Sequence, residues 1–243
     1  MNMALLRNKV FANLTRREQQ LLRPHLEIVS IVTEEELNAT GSLIRFMYFP
    51  ITAVISLMDT DGAGRTVEAA AVGREGCTGL FAFDGIIRAP CRTLVQVGGV
   101  AYRLNISRLL LLEKKLPLFS KIVRRFDAVL FRHTLLSLGC SQFHSVEQRL
   151  GRWLLAHSYR TGLKRLPFTH QFLARQLGVR RVTITNSLAA LEKRRLITYR
   201  YGAVEIRDAR RLKKVACECF GLAKDAINDY LHKIRSVQRP VRG

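Results

Sequence analysis

The segment Thr169–Leu191 (THQFLARQLGVRRVTITNSLAAL) constrains the fold of this chain more than any other stretch. Its apolar residues recur at helical spacing on both sides of Gly178, which predicts two short helices joined by a tight turn. Glycine accepts the positive φ that such a turn needs, and the small Ala174 allows two helices to cross closely. The segment therefore predicts a helix-turn-helix.

The outward face of the second predicted helix is suited to contacts with DNA bases. Once the positions expected to be buried are set aside, its members are Arg180, Arg181, Val182, Thr185 and Asn186. In the major groove, arginine pairs with guanine and asparagine with adenine through two hydrogen bonds each. We therefore predict that this helix reads DNA sequence; the alternative is an ordinary helical hairpin with a solvated basic face.

The charge of the chain favours a polyanionic partner. The net charge is +21 over 243 residues. From Ser145 onward there are 22 Lys and Arg against 7 Asp and Glu, whereas the residues before it hold 18 against 12. The basic surplus thus lies with the helix-turn-helix, where phosphate contacts need it. We find no long basic segment with aromatics on one face, so no membrane partner is expected.

Cysteine usage and hydropathy indicate a cytoplasmic protein with reduced thiols. The five cysteines are an odd number without framework spacing. The first residues lack the apolar core of a signal peptide, and no apolar run reaches the ~18 residues of a membrane span. Cys217 and Cys219 lie in one predicted helix, where residues two apart diverge by about 200°. No metal site is therefore expected.

An antiparallel β-roll is predicted before the long helix. A helical region over 8–27, with a capping box at Thr15 and Glu18, precedes it. Short β-type segments then alternate with Gly, Asp and Pro, which is typical of a sandwich or roll. The predicted strands are Ile28–Val32, Leu43–Phe49, Val54–Met58, Thr66–Val72, Arg92–Val97 and Val100–Leu104.

A long helix with a regular apolar seam is predicted from Pro117 to Gly139. The seam follows spacings of three and four through Phe119, Ile122, Phe126, Val129, His133, Leu136 and Cys140. Such a seam either packs in the core of its own domain or forms the axis of a dimer. We favour the dimer, because a DNA reader gains from twofold pairing. His133 is interpreted as a packed histidine rather than a ligand.

The rest of the chain predicts a winged head and a C-terminal helix. Ser141–His144 is a candidate hinge, and Ser145 with Gln148 forms a capping box for a helix over Val146–Tyr159. Strands at Leu196–Tyr199 and Ala203–Ile206 form a wing with Arg200 near its tip. A last helix is predicted over Ala209–Ile234, with a basic tail after it.

The predicted fold class is α+β, in four parts. These are a β-roll sensory domain (1–112), a dimerisation helix (113–140), a winged helix-turn-helix DNA-binding domain (145–207), and the C-terminal helix with its tail (208–243). No enzymatic motif such as a Walker loop or nucleophile elbow is found, so we expect no enzyme.

This order of elements resembles the Crp–Fnr superfamily of bacterial transcription regulators across about residues 10–207. The resemblance rests on FMYFPITAVISL (Phe46–Leu57), VGREGCTGL (Val72–Leu80) and FTHQFLARQLGVRRVTITNSLAALEKRRLI (Phe168–Ile197). It implies a homodimer on a near-palindromic operator and a cyclic-nucleotide-binding-like jelly roll that sets the angle of the DNA heads. The implied partners are double-stranded DNA and a second copy of the chain, with RNA polymerase as a further candidate.

The resemblance also implies roles for individual residues. Arg181 matches an arginine that reads guanine, Thr183 a phosphate-contacting threonine, and His170 and Gln171 backbone-contacting positions. At two base-reading positions the usual Glu and second Arg are replaced by Val182 and Asn186. Valine contacts a thymine methyl and asparagine pairs with adenine. The predicted half-site therefore keeps one guanine contact and otherwise differs from the usual one.

The sensor residues of known relatives are missing from the roll. In cyclic-nucleotide-binding members a glutamate holds the ribose and an arginine the phosphate. Here Cys77 and Cys91 fall at those positions, and Arg92, one residue further along a strand, points to the opposite face. Cyclic AMP is therefore disfavoured. The N-terminal cysteine cluster that holds an iron–sulfur centre in other members is absent as well.

Other signals stay open. Haem could use a single histidine such as His25, His133 or His144, and a thiol switch could use Cys77 and Cys91. Candidate ligand-pocket residues are Cys77, Thr78, Arg88, Arg92 and Thr93. A nonspecific basic DNA-packaging protein and a jelly-roll metal enzyme are the alternatives from other classes. The enzyme would need clustered ligands, and no histidine lies between His25 and His133.

Overall fold

The structure is a computed structural model that describes residues 7–237, with side chains described up to Leu231. It combines helices and strands in the predicted α+β arrangement. The chain divides into two compact units. The first holds the described residues up to Leu57, Ala71–Arg132 and those from Asp225, and the second holds Met58–Ala70 and His133–Lys224. The predicted basic tail lies outside the described residues.

Two short helices open the first unit. They are α1 (Lys9–Ala12) and α2 (Arg16–Leu22), and a 3-10 turn follows at Arg23–His25. The predicted capping box is confirmed, since Thr15 Oγ1 accepts from the Glu18 N–H at 3.2 Å and Glu18 accepts from the Thr15 N–H. The same carboxylate accepts from the N–H groups of Leu118 and Phe119, at the start of the long helix.

The roll consists of two sheets, as predicted from the alternating strands and turns. Their strands are β1 (Leu26–Ile31), β2 (Glu36–Asn38), β3 (Phe46–Pro50), β4 (Val54–Thr60), β5 (Thr66–Val72), β6 (Arg92–Val97) and β7 (Gly99–Asn105). The sheet orders are β1-β7-β3 and β2-β6-β4-β5. The ladders of β1 and β3 with β7, and of β2 with β6, are antiparallel. Strand β2 was not predicted, because three residues are too few to show a periodicity.

Residues from both sheets fill the interior of the roll. The buried cluster contains Ile31, Tyr48, Ala53, Ile55, Val95 and Ala101. Two short helices, α3 (Leu80–Phe83) and α4 (Ile106–Leu112), complete this part of the chain, and a 3-10 turn at Glu113–Lys115 leads onward.

The long helix α5 runs from Pro117 to Phe143. It passes through Gly139, where the sequence predicted its end, and the candidate hinge at Ser141–His144 shrinks accordingly. A glycine inside a helix costs about 1 kcal/mol, which packing of the following turn can offset. Cys140, in that turn, is 1% exposed.

The winged head lies in the second unit. Helix α6 (Val146–Thr161) begins at the predicted Ser145–Gln148 capping box and ends at Gly162. Helices α7 (His170–Leu177) and α8 (Arg181–Lys193) follow. The wing has the order β8-β10-β9, with β8 at Arg165–Leu166, β9 at Ile197–Arg200 and β10 at Ala203–Ile206. Strand β8 has only two residues and gave no signal in the sequence.

The prediction of a single C-terminal helix is wrong. The structure has α9 (Ala209–Val215) and α10 (Cys219–Val237) with a break between them. Ala216 adopts an extended conformation with ψ of 152°. The break packs on α6 at Gly151, where an added Cβ would lie 3.3 Å from Ala216 Cβ. Tertiary packing thus overrides helix propensity here, and Cys217 lies outside any helix.

The prediction that the α5 seam forms a dimer axis is wrong for the residues named. All seven are at most 7% exposed within the single chain: Phe119, Ile122, Phe126, Val129, His133, Leu136 and Cys140. Phe119 packs against Phe49 and Phe83 of the first unit, and the C-terminal helix, to which the sequence assigned no role, contacts other parts of the seam. In the first unit the Tyr230 ring lies 5.5 Å from that of Phe126. In the second unit His133 Nε2 lies 3.1 Å from the Ala223 carbonyl oxygen, as suits a packed histidine.

Over residues 7–237, no helix is both long enough and apolar enough to cross a membrane.

Candidate DNA-binding site

The turn between α7 and α8 has the predicted geometry. Gly178 adopts a φ of +62°, and the Val179 N–H donates to the Ala174 carbonyl at 3.0 Å. A Cβ at Gly178 would lie 3.3 Å from Val67 Cγ2, on the β4–β5 hairpin of the same unit. The predicted inward residues are all buried: Leu173, Ala174, Leu177, Ile184, Leu188 and Leu191. Periodicity and the turn glycine therefore orient the two helices as expected.

An aromatic cluster packs against the buried side of α7. The Trp153 ring stacks on His157 with centroids 3.7 Å apart and meets Phe168 and Phe172 edge-on. Burial lowers the pKa of His157 to about 3, with the Arg160 charge adding to the effect. The imidazole is therefore neutral at physiological pH. The aromatic cluster forms part of the core on which α7 packs.

The base-reading residues predicted on α8 lie at the surface. Arg180, Arg181, Val182, Thr185 and Asn186 are exposed, and Val182 is 57% exposed despite being apolar. Neither arginine forms an ion pair among residues 7–231, whose side chains are described. The five predicted residues are therefore accessible to a partner, and base contacts by them stay a prediction.

The N-terminus of α8 presents backbone donors. Arg180 is the N-cap residue and makes no side-chain capping hydrogen bond. The first N–H groups of a helix have no partner within it, and they carry the positive end of the helix dipole. Thr183 lies half-buried in this first turn. The end of α8 that carries the two arginines is therefore also suited to a phosphate.

His170 makes an internal contact, and the DNA-backbone contact that the resemblance implied for it stays a prediction. Its Nδ1 lies 2.9 Å from Thr185 Oγ1, and its ring lies 4.3 Å from that of Tyr199 on β9. Burial lowers the pKa of His170, and the Arg181 charge adds to this effect. The ring thus joins α7, α8 and the wing, whereas the neighbouring Gln171 is exposed at the start of α7.

The wing presents one predicted residue and one that the sequence did not suggest. Arg200 is exposed, donates to the Tyr199 carbonyl at 2.7 Å and pairs with Glu192 at 3.2 Å. Tyr201 forms the tip with a φ of +52° and is 96% exposed. A fully exposed aromatic at a wing tip is a second group that could contact a DNA backbone, since Tyr hydroxyls bind phosphate oxygens.

The five residues predicted as a ligand pocket have other surroundings. Cys77 and Thr78 are buried in the first unit, and burial raises the pKa of the Cys77 thiol. Arg88 donates to the Gly41 carbonyl at 2.9 Å, and Arg92 pairs with Glu36 on β2. Thr93 is also buried.

A cavity of about 390 Å³ lies elsewhere in the first unit. Its lining comprises Arg125, Ala128, Val129, Ala226, Asp229 and Tyr230. None of the five predicted pocket residues lines it. A sensory role for those five stays a prediction.

The sequence analysis missed a group of four side chains in the second unit. Cys140, His144, Cys217 and Cys219 bring their sulfur and nitrogen atoms within 4.8 Å of one another. A hydrogen bond from the Cys217 thiol lowers the pKa of Cys140 to about 5, and the Arg152 charge adds to this effect. The Cys140/His144 spacing of one helical turn was a usable signal, but the assumption of one regular helix through Cys217 and Cys219 hid it.

The winged head matches a known domain family. Residues 148–215 match the family model of the Crp-like helix-turn-helix domain. This range contains all but the first two residues of α6, both helices of the motif, the wing and α9. A search of curated proteins finds no match to the chain.

Solved structures share the fold of about four fifths of the chain. A Crp/Fnr-family protein from Eubacterium rectale matches at a TM-score of 0.66 and 16% identity, over 85% of this chain and 96% of its own. FixK2 from Bradyrhizobium japonicum matches at 0.64 and 13%, over 79% and 98%. A Crp/Fnr-family transcriptional regulator from Thermus thermophilus matches at 0.62 and 20%, over 78% and 98%.

The two kinds of match agree with each other and with the geometry of the head. The family model covers the winged segment, and the solved structures extend the likeness across the roll and α5. The chain therefore has the DNA-binding domain and the fold of the Crp/Fnr transcription regulators.

Proposed function

We propose that this protein regulates transcription by binding a near-palindromic DNA operator as a homodimer. The observation that carries the proposal is the exposed set Arg181, Val182 and Asn186 on one face of α8, above a buried core. The positive charge from Ser145 onward supplies the phosphate contacts that hold such a helix in a groove. RNA polymerase stays a candidate partner of this regulator.

The operator half-site follows from the side chains on α8. Arg181 selects a guanine, Val182 contacts a thymine methyl, and Asn186 selects an adenine. Selection of bound duplexes from a random pool tests this directly. We expect one conserved guanine per half-site with thymine or adenine at the neighbouring read positions. A pool without preferred sequence would contradict the proposal and favour nonspecific DNA packaging.

A second copy of the chain is the proposed occupant of an exposed apolar stripe on α5. Phe131, Leu135 and Leu138 are 66%, 43% and 62% exposed and follow spacings of four and three. This is the spacing by which two helices pack along a seam. The seam predicted from sequence is buried within the single chain, so the exposed stripe takes its place as the proposed dimer contact.

The sensor is proposed to be a degenerate cyclic-nucleotide-type roll. Arg92 forms an ion pair with Glu36. Cys77 is buried, and it occupies the position where relatives use a glutamate. Titration with cyclic AMP, followed by thermal unfolding, is expected to leave the melting temperature unchanged. Titration with haem, followed by its absorbance, tests the alternative signal. A saturable melting shift with cyclic AMP would refute this part of the proposal.

A further inference from the structure

Four metal-ligating side chains meet where the end of α5 faces the break between α9 and α10. Cys140 and His144 lie one helical turn apart, Cys217 lies in the break, and Cys219 is the first residue of α10. We propose that Cys140, His144, Cys217 and Cys219 bind one zinc ion in a Cys3His site. This inference does not depend on the proposed DNA-binding function.

The interatomic distances fit a tetrahedral zinc ion. Cys140 Sγ lies 3.5 Å from Cys217 Sγ, and Cys219 Sγ lies 3.8 Å from His144 Nδ1. With Zn–S near 2.3 Å and Zn–N near 2.0 Å, ligand atoms of a tetrahedron lie about 3.5–3.8 Å apart. The four atoms are therefore already spaced as ligands, and the largest separation of 4.8 Å needs only a small side-chain movement.

A neighbouring carboxylate is placed to orient the histidine of the proposed zinc site. While His144 Nδ1 faces the sulfur atoms, its Nε2 lies 3.2 Å from the Glu218 carboxylate. A carboxylate on the far nitrogen of a ligating histidine fixes the tautomer and increases ligand basicity. Glu218 lies between the two cysteines in sequence, so the CEC segment supplies two ligands and the orienting carboxylate.

Burial and charge favour a closed structural site. The three cysteines are at most 4% exposed. Three thiolates and a neutral imidazole leave a zinc complex with one net negative charge, which needs a nearby cation. The Arg152 charge acts on Cys140, Cys217 and Cys219. Its Nε is buried and has no hydrogen-bond partner among the described residues, so a thiolate could accept from it.

Four protein ligands leave no open coordination position, which indicates a structural rather than a catalytic role. The ion would fasten the break between α9 and α10 to the last turn of α5, within the second unit. Metal binding would then stabilise this unit, because an unfolded chain does not hold the four ligands together.

The test measures zinc in the full chain after reduction, incubation with Zn²⁺ and removal of unbound metal. We expect one zinc per chain in the wild type and in the control variant Cys91→Ser, which changes a cysteine outside the group. Cys140→Ser and Cys217→Ser are expected to lose it. Replacement of zinc by Co²⁺ in the wild type should give the thiolate charge-transfer absorption of a tetrahedral site.

Two further variants separate ligation from folding. His144→Cys keeps four ligands, and with Co²⁺ its charge-transfer absorption should rise by about a third as three thiolates become four. Glu218→Ala removes only the orienting carboxylate and should lower zinc affinity roughly tenfold or more. In the wild type, addition of a chelator should lower the melting temperature.

Three results would overturn the proposal. The first is a reduced wild-type protein that retains no stoichiometric zinc. The second is zinc that Cys140→Ser and Cys217→Ser retain as well as the control does. The third is a Cys140–Cys217 disulfide in the isolated protein whose reduction restores no zinc binding, which would identify the group as a thiol pair instead.

Discussion

At the residue scale, the side chains on α8 separate two tasks. Arg181, Val182 and Asn186 face outward and are the proposed base-reading residues, whereas Thr185 contacts His170. The His170 ring lies between Thr185 and Tyr199. The proposed base readout and the contacts that join α7, α8 and the wing therefore involve different residues.

Replacing Arg181 by Ala is expected to weaken binding to the selected operator by about 1–3 kcal/mol and to relax one base position. Arg200→Ala should instead weaken all sequences alike, because we expect the exposed Arg200 near the wing tip to contact a phosphate, which carries no sequence information. Binding measured by fluorescence anisotropy on matched and single-base-changed duplexes distinguishes the two. The exposed Arg17→Ala in α2 is the charge control. Equal relaxation by Arg181→Ala and Arg17→Ala would exclude the proposed docking.

Asp127 makes stability depend on pH. Burial raises its pKa to about 6, with the neighbouring Asp84 adding to the effect and Arg124 opposing it. In the unfolded chain the pKa is near its usual 3.8. The folded state thus holds more protons between these values, so this contribution is present below about pH 4 and is lost as pH rises through about 6.

Asp127→Asn should therefore stabilise the protein at pH 7, and the gain should disappear at pH 4. The size is on the order of 1 kcal/mol, because solvent screens a half-buried carboxyl. Urea unfolding of wild type and variant at both pH values measures it. Asp59→Asn, at an exposed aspartate, is the control. A gain of equal size at both pH values would show that the charge of Asp127 is not its cause.

At the element scale, α5 has two apolar faces with different partners. One face packs on α10 and the roll within the chain, and the other leaves Phe131, Leu135 and Leu138 exposed. The α7–α8 turn packs closely against the β4–β5 hairpin, because Val67 of the hairpin leaves little room for a side chain at Gly178.

Leu138→Asp is expected to convert a dimer into monomers, since a charge in a packed helix seam is desolvated without a partner. Size-exclusion chromatography with light scattering measures the mass in solution. Leu111→Asp, on α4 and 76% exposed, is the matched control and should leave the dimer intact. A dimer that survives Leu138→Asp would place the contact elsewhere.

Gly178→Ala should destabilise the second unit more than Gly162→Ala does. Both glycines have positive φ, but a Cβ at Gly162 meets nothing within 4 Å, whereas one at Gly178 meets Val67 at 3.3 Å. The backbone strain of Gly162→Ala is expected to cost about 1 kcal/mol, and Gly178→Ala adds a steric cost to it. Urea unfolding of both variants gives the comparison, and equal losses would show that Val67 moves aside freely.

At the scale of the whole molecule, charge and symmetry decide how the chain meets DNA. The net charge of +21 attracts any polyanion, so in the proposed homodimer specificity would depend on two heads that read two half-sites. We expect the selected operator to hold two inverted half-sites about 10 bp apart, or a multiple of this. Affinity should fall with salt for every duplex, while the preference for the operator persists. A single half-site bound by one chain would contradict the homodimer.

The sequence by itself determined the helix-turn-helix, the capping boxes and six strands of the roll. These features are local: a period of 3.6 or 2, a capping side chain and a turn glycine act over a few residues. Val182 and Asn186 could be identified as outward residues for the same reason. The contact of His170 with Tyr199 could not be predicted, because it joins elements that are separate along the chain.

Only the tertiary structure decided where the C-terminal helix breaks and what it packs against. The break at Ala216 depends on packing against Gly151, and the cover over the α5 seam depends on α10. Cys140 and Cys217 are 77 residues apart, so no local period records their proximity. The regulator fold could therefore be predicted from sequence, whereas the partner of its long helix and the cysteine group could not, because both arise from contacts between distant segments.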